Sequence, residues 1–123
     1  MQQNERVVDR KARLQSVPPK PAERPPDLRV CDFGPTMFDI TPEQAQRIAE
    51  ACIHCPDPAP CQRACPVGNN IPEAMWLIEE GDFIGAAEVY RETSTLPEIC
   101  GRVCPHDALC QGACVRNKHS EPV

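Results

Sequence analysis

The sequence predicts an all-α domain in which two groups of cysteines flank a helical hairpin. Three observations carry this reading. Helix-start signals recur along the chain, each followed by apolar residues three and four apart, and no stretch alternates in the manner of a half-buried strand. Eight of the nine cysteines fall into two sets of four, Cys52–Cys65 and Cys100–Cys114. Aromatic residues make up only 4% of the 123 residues, against 15 prolines, so one small core is all the chain can bury, and it needs metal or cross-links to hold it.

Taken in order, residues 1–40 are expected to form an extended, proline-rich arm. Val17-Pro18-Pro19-Lys20-Pro21 and Arg24-Pro25-Pro26 favour polyproline conformations, and such an arm is ordered by the surface it lies on. Cys31-Asp32-Phe33-Gly34-Pro35 leads by a turn into the helical domain, residues 41–123. Thr41-Pro42-Glu43-Gln44 predicts a capping box and a helix from Pro42 to Cys52, with Ala45, Ile48, Ala49 and Cys52 on one face. Asn70 caps a second helix, with Pro72 in its first turn and Gly81 ending it. Asp82 caps a third, from Phe83 to Glu92, and the last two make an antiparallel hairpin. Trp76 and Tyr90 read as packing residues on that hairpin. Asp107 is expected to cap a short helix carrying Cys110 and Cys114 on one face.

The first group is spaced C-x2-C-x5-C-x3-C-P and the second C-x3-C-P-x4-C-x3-C, so Cys55 to Cys65 and Cys104 to Cys114 share the same separations. A bacterial ferredoxin run reads C-x2-C-x2-C-x3-C-P, and the first group is that run with a lengthened middle loop. Prolines after Cys55, Cys65 and Cys104 turn the chain away from a metal centre, while Ala64, Gly101, Gly112 and Ala113 let backbone N–H groups approach sulfur. The spacing leaves two chemistries open: soft thiolates holding iron–sulfur clusters, or a structural zinc-binding interaction module. The C-P endings and the paired separations favour iron–sulfur; zinc modules more often pair two C-x2-C knuckles, and here there is one.

The formal charge is -5, and it sits on the cysteine-bearing part: residues 41–123 hold six Lys/Arg against twelve Asp/Glu. That excludes a nucleic-acid binder and suits docking to a basic redox partner. No run is long enough to span a bilayer, and MQQNERVVDRK has no apolar leader segment, so the expected setting is reducing and cytoplasmic. No Gly-rich phosphate loop appears, so neither FAD nor NAD(P)H is expected on this chain. Ser94 and Thr95 lack the partners of a catalytic nucleophile. His54 and His106 read as exposed loop residues, and Cys31 as a buried free thiol. Arg102 is expected either near a cluster or on a backbone carbonyl.

The stretches CIHCPDPAPCQRACPVGNNIPEAMWLIEEGDFIGAA and LPEICGRVCPHDALCQGAC, within Thr41 to Val115, resemble the amino-terminal iron–sulfur domain of the glutamate synthase small subunit. The same domain heads dihydropyrimidine dehydrogenase and the large subunit of the NADH-dependent ferredoxin:NADP oxidoreductase. The resemblance implies an α-helical ferredoxin-like fold with two [4Fe–4S] cubane clusters. It implies electron transfer to or from an adjoining FAD- and NAD(P)H-binding module or subunit, with room for a further redox subunit, and no catalytic centre on this chain. Matched residue by residue, Cys52, Cys55, Cys61 and Cys114 resemble the ligands of the first cluster, and Cys65, Cys104 and Cys110 three ligands of the second. The fourth ligand of the second cluster in these relatives is a Glu or Gln beyond the position of Val123. Here it is expected from outside these residues or from Cys100, one helical turn before Cys104.

Overall fold

The computed structural model describes residues 6–123; the first five residues of the expected arm lie outside the described residues. The elements in order are α1 (Arg10–Gln15), α2 (Pro26–Arg29), α3 (Pro42–Ala49), α4 (Pro60–Ala64), α5 (Ile71–Glu79), α6 (Phe83–Arg91), α7 (Pro97–Val103), α8 (Cys110–Ala113) and a closing 3-10 turn, Val115–Lys118. The fold is all-α: among the described residues there is no strand, and one antiparallel bridge, Glu23 to Met37, closes the loop around α2.

Local chemistry fixes the helix starts. At α3 the Gln44 N–H donates to Thr41 Oγ1 at 3.2 Å, and the Thr41 N–H donates back to Gln44 Oε1 at 2.8 Å. Asn70 accepts from the Glu73 N–H ahead of α5, and Asp82 from the Gly85 N–H ahead of α6. Gly81, between the two, has φ +82, a left-handed conformation that glycine adopts without strain. Helices α5 and α6 pack as the expected hairpin, α3 lies on α5, and α4 pairs with α8.

The core is unusual in its material. Besides Pro18, the buried apolar residues are Ala49, Ala51, Ala59, Ala74 and Ala86, none more than 3% exposed. Small side chains let α3, α5 and α6 approach closely, but they bury little area per residue. The largest fully buried side chain is a charged one, Arg116.

Four expectations are corrected. The helix meant to reach Cys52 ends at Ala49, and the chain tightens into i→i+3 bonds from Ala51 N–H to Ile48 O and Cys52 N–H to Ala49 O. From Ala51 onward the carbonyls are taken by arginine side chains, so the helical ladder cannot continue. The arm is not extended throughout: Asp9 caps α1 by accepting the Ala12 N–H, Pro26 opens α2, and Arg6, Arg10 and Arg13 tie the arm to the domain itself. Asp107 caps nothing; α8 starts after Leu109, without a side-chain cap. Cys31 is exposed, because α2 packs on no core, and its thiol donates to Asp27 O.

Candidate metal centre

Three cysteines end helices. Cys65, Cys104 and Cys114 close α4, α7 and α8 with extended backbone, ψ 123, 134 and 127. A following proline disfavours helical backbone, which explains the first two. Each is one turn from another cysteine: Cys65 N–H donates to Cys61 O at 3.1 Å and Cys104 N–H to Cys100 O at 2.9 Å, while Cys110 and Cys114 bracket α8. Pairing of α4 with α8 therefore brings the x3 halves of both groups together, although 45 residues or more separate them in sequence.

All eight grouped cysteines line one cavity of about 420 Å³, whose walls are otherwise mainly apolar, with Ile53, Ile71, Met75 and Tyr90 among them. All nine thiols are free. Cys31 is not part of this wall, and Cys100 belongs to it while remaining exposed. The thiols ring the space rather than meet at a point; among the described residues no three His, Cys, Asp or Glu side chains converge on a single-ion site.

Electrostatics sorts the thiols into two neighbourhoods. Burial pushes Cys52 up to about 11, the His54 backbone N–H opposes that, and Cys61, Cys55 and Cys114 push it further. Burial likewise takes Cys61 to about 11, with Cys114 and Cys55 again adding to the rise. Cys55 is raised by burial and then by Cys114. Cys110 is raised by burial, and the thiols that add to it are Cys104 and Cys65. Tyr90 feels both sets: burial pushes it up to about 12, followed by Cys110, Cys61, Cys52 and Cys65. An α6 residue expected only to pack thus also lines the cysteine cavity.

His54 is not the exposed loop residue expected. It is 7% exposed, takes a left-handed φ of 49 inside the C-x2-C turn, and stacks on Trp76 with centroids 3.7 Å apart. Its Nε2 lies 2.8 Å from Glu79 Oε1. Arg13 grips the same carboxylate with both terminal nitrogens, at 2.6 and 2.9 Å, and donates to Cys52 O at 2.8 Å. Arg6 and Arg13 both lie over the Trp76 ring. Sequence reasoning missed Arg10, Arg13, Glu79 and Arg116; apart from the Arg116 bond to Glu121 O, these partners lie 25 to 103 positions away, so no local pattern marks them. His106 is exposed at the cavity, its Nδ1 3.0 Å from Cys104 O, and Arg102 is exposed on α7.

The His54–Glu79 pair makes stability pH-dependent. Burial lowers His54 below its ordinary 6.5, more than Glu79 raises it. Burial alone would raise Glu79, but hydrogen bonds from Arg13 and His54 hold it below 4.5. Both groups bind protons more weakly folded than unfolded. Their contribution is therefore complete above pH 6.5 and is lost on acidification, first through His54 and then, below 4.5, through Glu79. The thermal midpoint should fall from pH 6.5 to 5, and His54→Gln, which keeps a donor toward Glu79 without a titrating ring, should flatten that fall. An identical slope in parent and variant would contradict it.

The donor set fits clusters: eight soft thiols, seven of them in two neighbourhoods, around one space shielded by apolar residues. No helix is long and apolar enough to cross a membrane among the described residues. Comparison with known proteins gives the same chemistry. The chain is 41% identical over 97 residues to the glutamate synthase [NADPH] small chain of Halomonas elongata and 44% identical over 95 residues to that of Azospirillum brasilense. It is 40% identical over 84 residues to the NAD-dependent dihydropyrimidine dehydrogenase subunit PreT of Salmonella typhimurium. These matches cover 79%, 77% and 68% of this chain, and 20% of each relative. Residues 29–123, which carry every cysteine, match the family described as dihydropyrimidine dehydrogenase domain II, 4Fe-4S cluster. The helical fold, the ring of thiols and that match make this chain a member of the family, an iron–sulfur domain of the glutamate synthase small subunit and dihydropyrimidine dehydrogenase type.

Proposed function

We propose that the chain carries electrons one at a time through two [4Fe–4S] clusters, as a domain or subunit of a flavin-dependent NAD(P)H oxidoreductase. The observation that carries this is the division of the free thiols lining one apolar cavity into two neighbourhoods. Cys52, Cys55, Cys61 and Cys114 would hold the first cluster. Cys65, Cys104 and Cys110 would hold the second, completed by Cys100 or by a residue outside this chain. When bound, the clusters supply reversible one-electron chemistry. The residues of this chain do the rest: they ligate, exclude water through Ile53, Ile71 and Met75, and direct backbone N–H groups at sulfur, as the His54 N–H is directed at Cys52 Sγ at 3.5 Å.

FAD and NAD(P)H belong, on this reading, to an adjoining module or partner subunit, which suits relatives named for NADPH and NAD. Exposed Val30, Phe33 and Phe38 near α2, and Leu96, Ile99 and Val103 on and just before α7, offer apolar surface for such a neighbour. Nine free thiols suit a reducing, cytoplasmic setting.

Anaerobically purified protein should contain about eight iron and eight acid-labile sulfide per chain. A colourless protein with two zinc ions and no sulfide would establish the zinc module instead. Cys61→Ala should erase the EPR signal of one cluster and Cys65→Ala that of the other; loss of the same signal in both would refute the interleaved assignment.

A further inference from the structure

We infer that Arg10, Arg13 and Arg116 are positioning residues that raise the reduction potential of the cluster held by the Cys52–Cys55 turn; this rests on the ligand assignment proposed above. Four consecutive carbonyls enter that turn, and each accepts from an arginine. Arg116 Nη1 donates to Ala51 O at 2.9 Å, Arg13 Nη1 to Cys52 O at 2.8 Å, Arg10 Nε to Ile53 O at 3.1 Å and Arg10 Nη2 to His54 O at 3.0 Å. In a planar trans peptide the C=O and the following N–H point opposite ways. Drawing these carbonyls out to the guanidiniums therefore turns the amides of residues 53 to 55 toward the sulfurs, while the Cys52 N–H stays on Ala49 O. The Ile53–His54 peptide does both: its carbonyl accepts from Arg10 while its N–H reaches Cys52 Sγ. His54 keeps a left-handed φ of 49, uncommon away from glycine, within this grip.

Charge acts in the same direction. Glu79 offsets Arg13. Among the described residues Arg10 and Arg116 form no ion pair, and Arg116, fully buried, lines the thiol cavity. A cluster held by four thiolates is net negative and becomes more so on gaining an electron, so fixed guanidiniums favour its reduced form. Among the described residues no arginine side chain bonds a carbonyl of the second neighbourhood: Cys104 O accepts from the His106 backbone N–H at 2.8 Å, and Arg102 is exposed. One cluster is thus tuned by the arm and the tail, and the other is not.

The test is an EPR-monitored titration of the loaded chain with a chemical reductant. Arg10 is exposed and its side chain bonds only to the turn carbonyls among the described residues, so Arg10→Gln should leave the fold intact. At a fixed applied potential the reduced-to-oxidised ratio of one cluster should fall three- to tenfold, a midpoint shift of up to about 59 mV for one electron. The other cluster should be unmoved. Arg10→Lys keeps the charge without the fork and should recover part of the shift. Arg13→Lys, still paired with Glu79, should lower the same midpoint by less than Arg10→Gln does. Equal midpoints in parent and variants, or equal shifts in both clusters, overturn the inference while leaving the cluster reading intact. A parent lacking iron and sulfide removes both.

Discussion

Stripping the iron from the loaded protein with a chelator is expected to unfold most of the domain. The buried apolar residues of the hairpin and its neighbours are alanines, which contribute little hydrophobic stabilisation each. The thiols and apolar side chains around the cavity of about 420 Å³ face one another across it and not into close contact. Lost packing around a void of that size costs on the order of several kcal/mol, comparable with the ~5–15 kcal/mol that holds a small domain together. Cluster binding is then inseparable from folding, as in small metal domains generally. Far-UV circular dichroism before and after iron removal checks this. A metal-free chain that keeps full helicity and melts cooperatively would show that the helices pack well enough alone.

The largest single-residue effect should come from Arg116→Met. The guanidinium is completely buried and ties together three distant parts of the chain. It donates to Ala51 O at 2.9 Å, Ser16 O at 2.7 Å and Glu121 O at 2.9 Å, and also to Arg13 O. Methionine fills comparable volume but leaves the Ala51, Ser16 and Glu121 carbonyls without donors (Arg13 O keeps those of Ser16), each at about 1–3 kcal/mol where water cannot replace the bond. Because part of the site relaxes toward solvent, a total loss of about 3–5 kcal/mol is expected, the range for breaking a buried charged network. Lysine should rescue little, since a point charge cannot serve carbonyls on several sides. Denaturant melts of the loaded protein measure the loss; a change below about 1 kcal/mol would mean that the tail and arm are held by other contacts.

The same residues explain why the site was only half legible beforehand. The cysteines announce themselves through spacing, and Pro66 and Pro105 announce where Cys65 and Cys104 leave their helices. The caps at Thr41, Asn70 and Asp82, and the left-handed Gly81, follow from local chemistry and lie where that chemistry requires. His54 was misjudged because histidine in a short polar loop is ordinarily solvated. Here its ring is captured by Trp76 and Glu79, both on α5. Asp107 was misjudged because a plausible cap residue says nothing about where the turn after Pro105 will start the next helix. The arm looked like a ligand for some other surface, since its arginines reveal nothing of the carbonyls they reach.

Sequence alone determined the helical class, the cap positions, the two cysteine groups and the preference for thiolate-held metal. Each rests on interactions within a turn or two of chain, where spacing dictates geometry. Tertiary structure decided which thiols are neighbours, that Tyr90 lines their cavity, and that arginines from the arm and the tail grip the Cys52–Cys55 turn. Those contacts join residues tens of positions apart, and guanidinium-to-carbonyl bonds need no particular acceptor side chain, so they leave no pattern in the sequence to read.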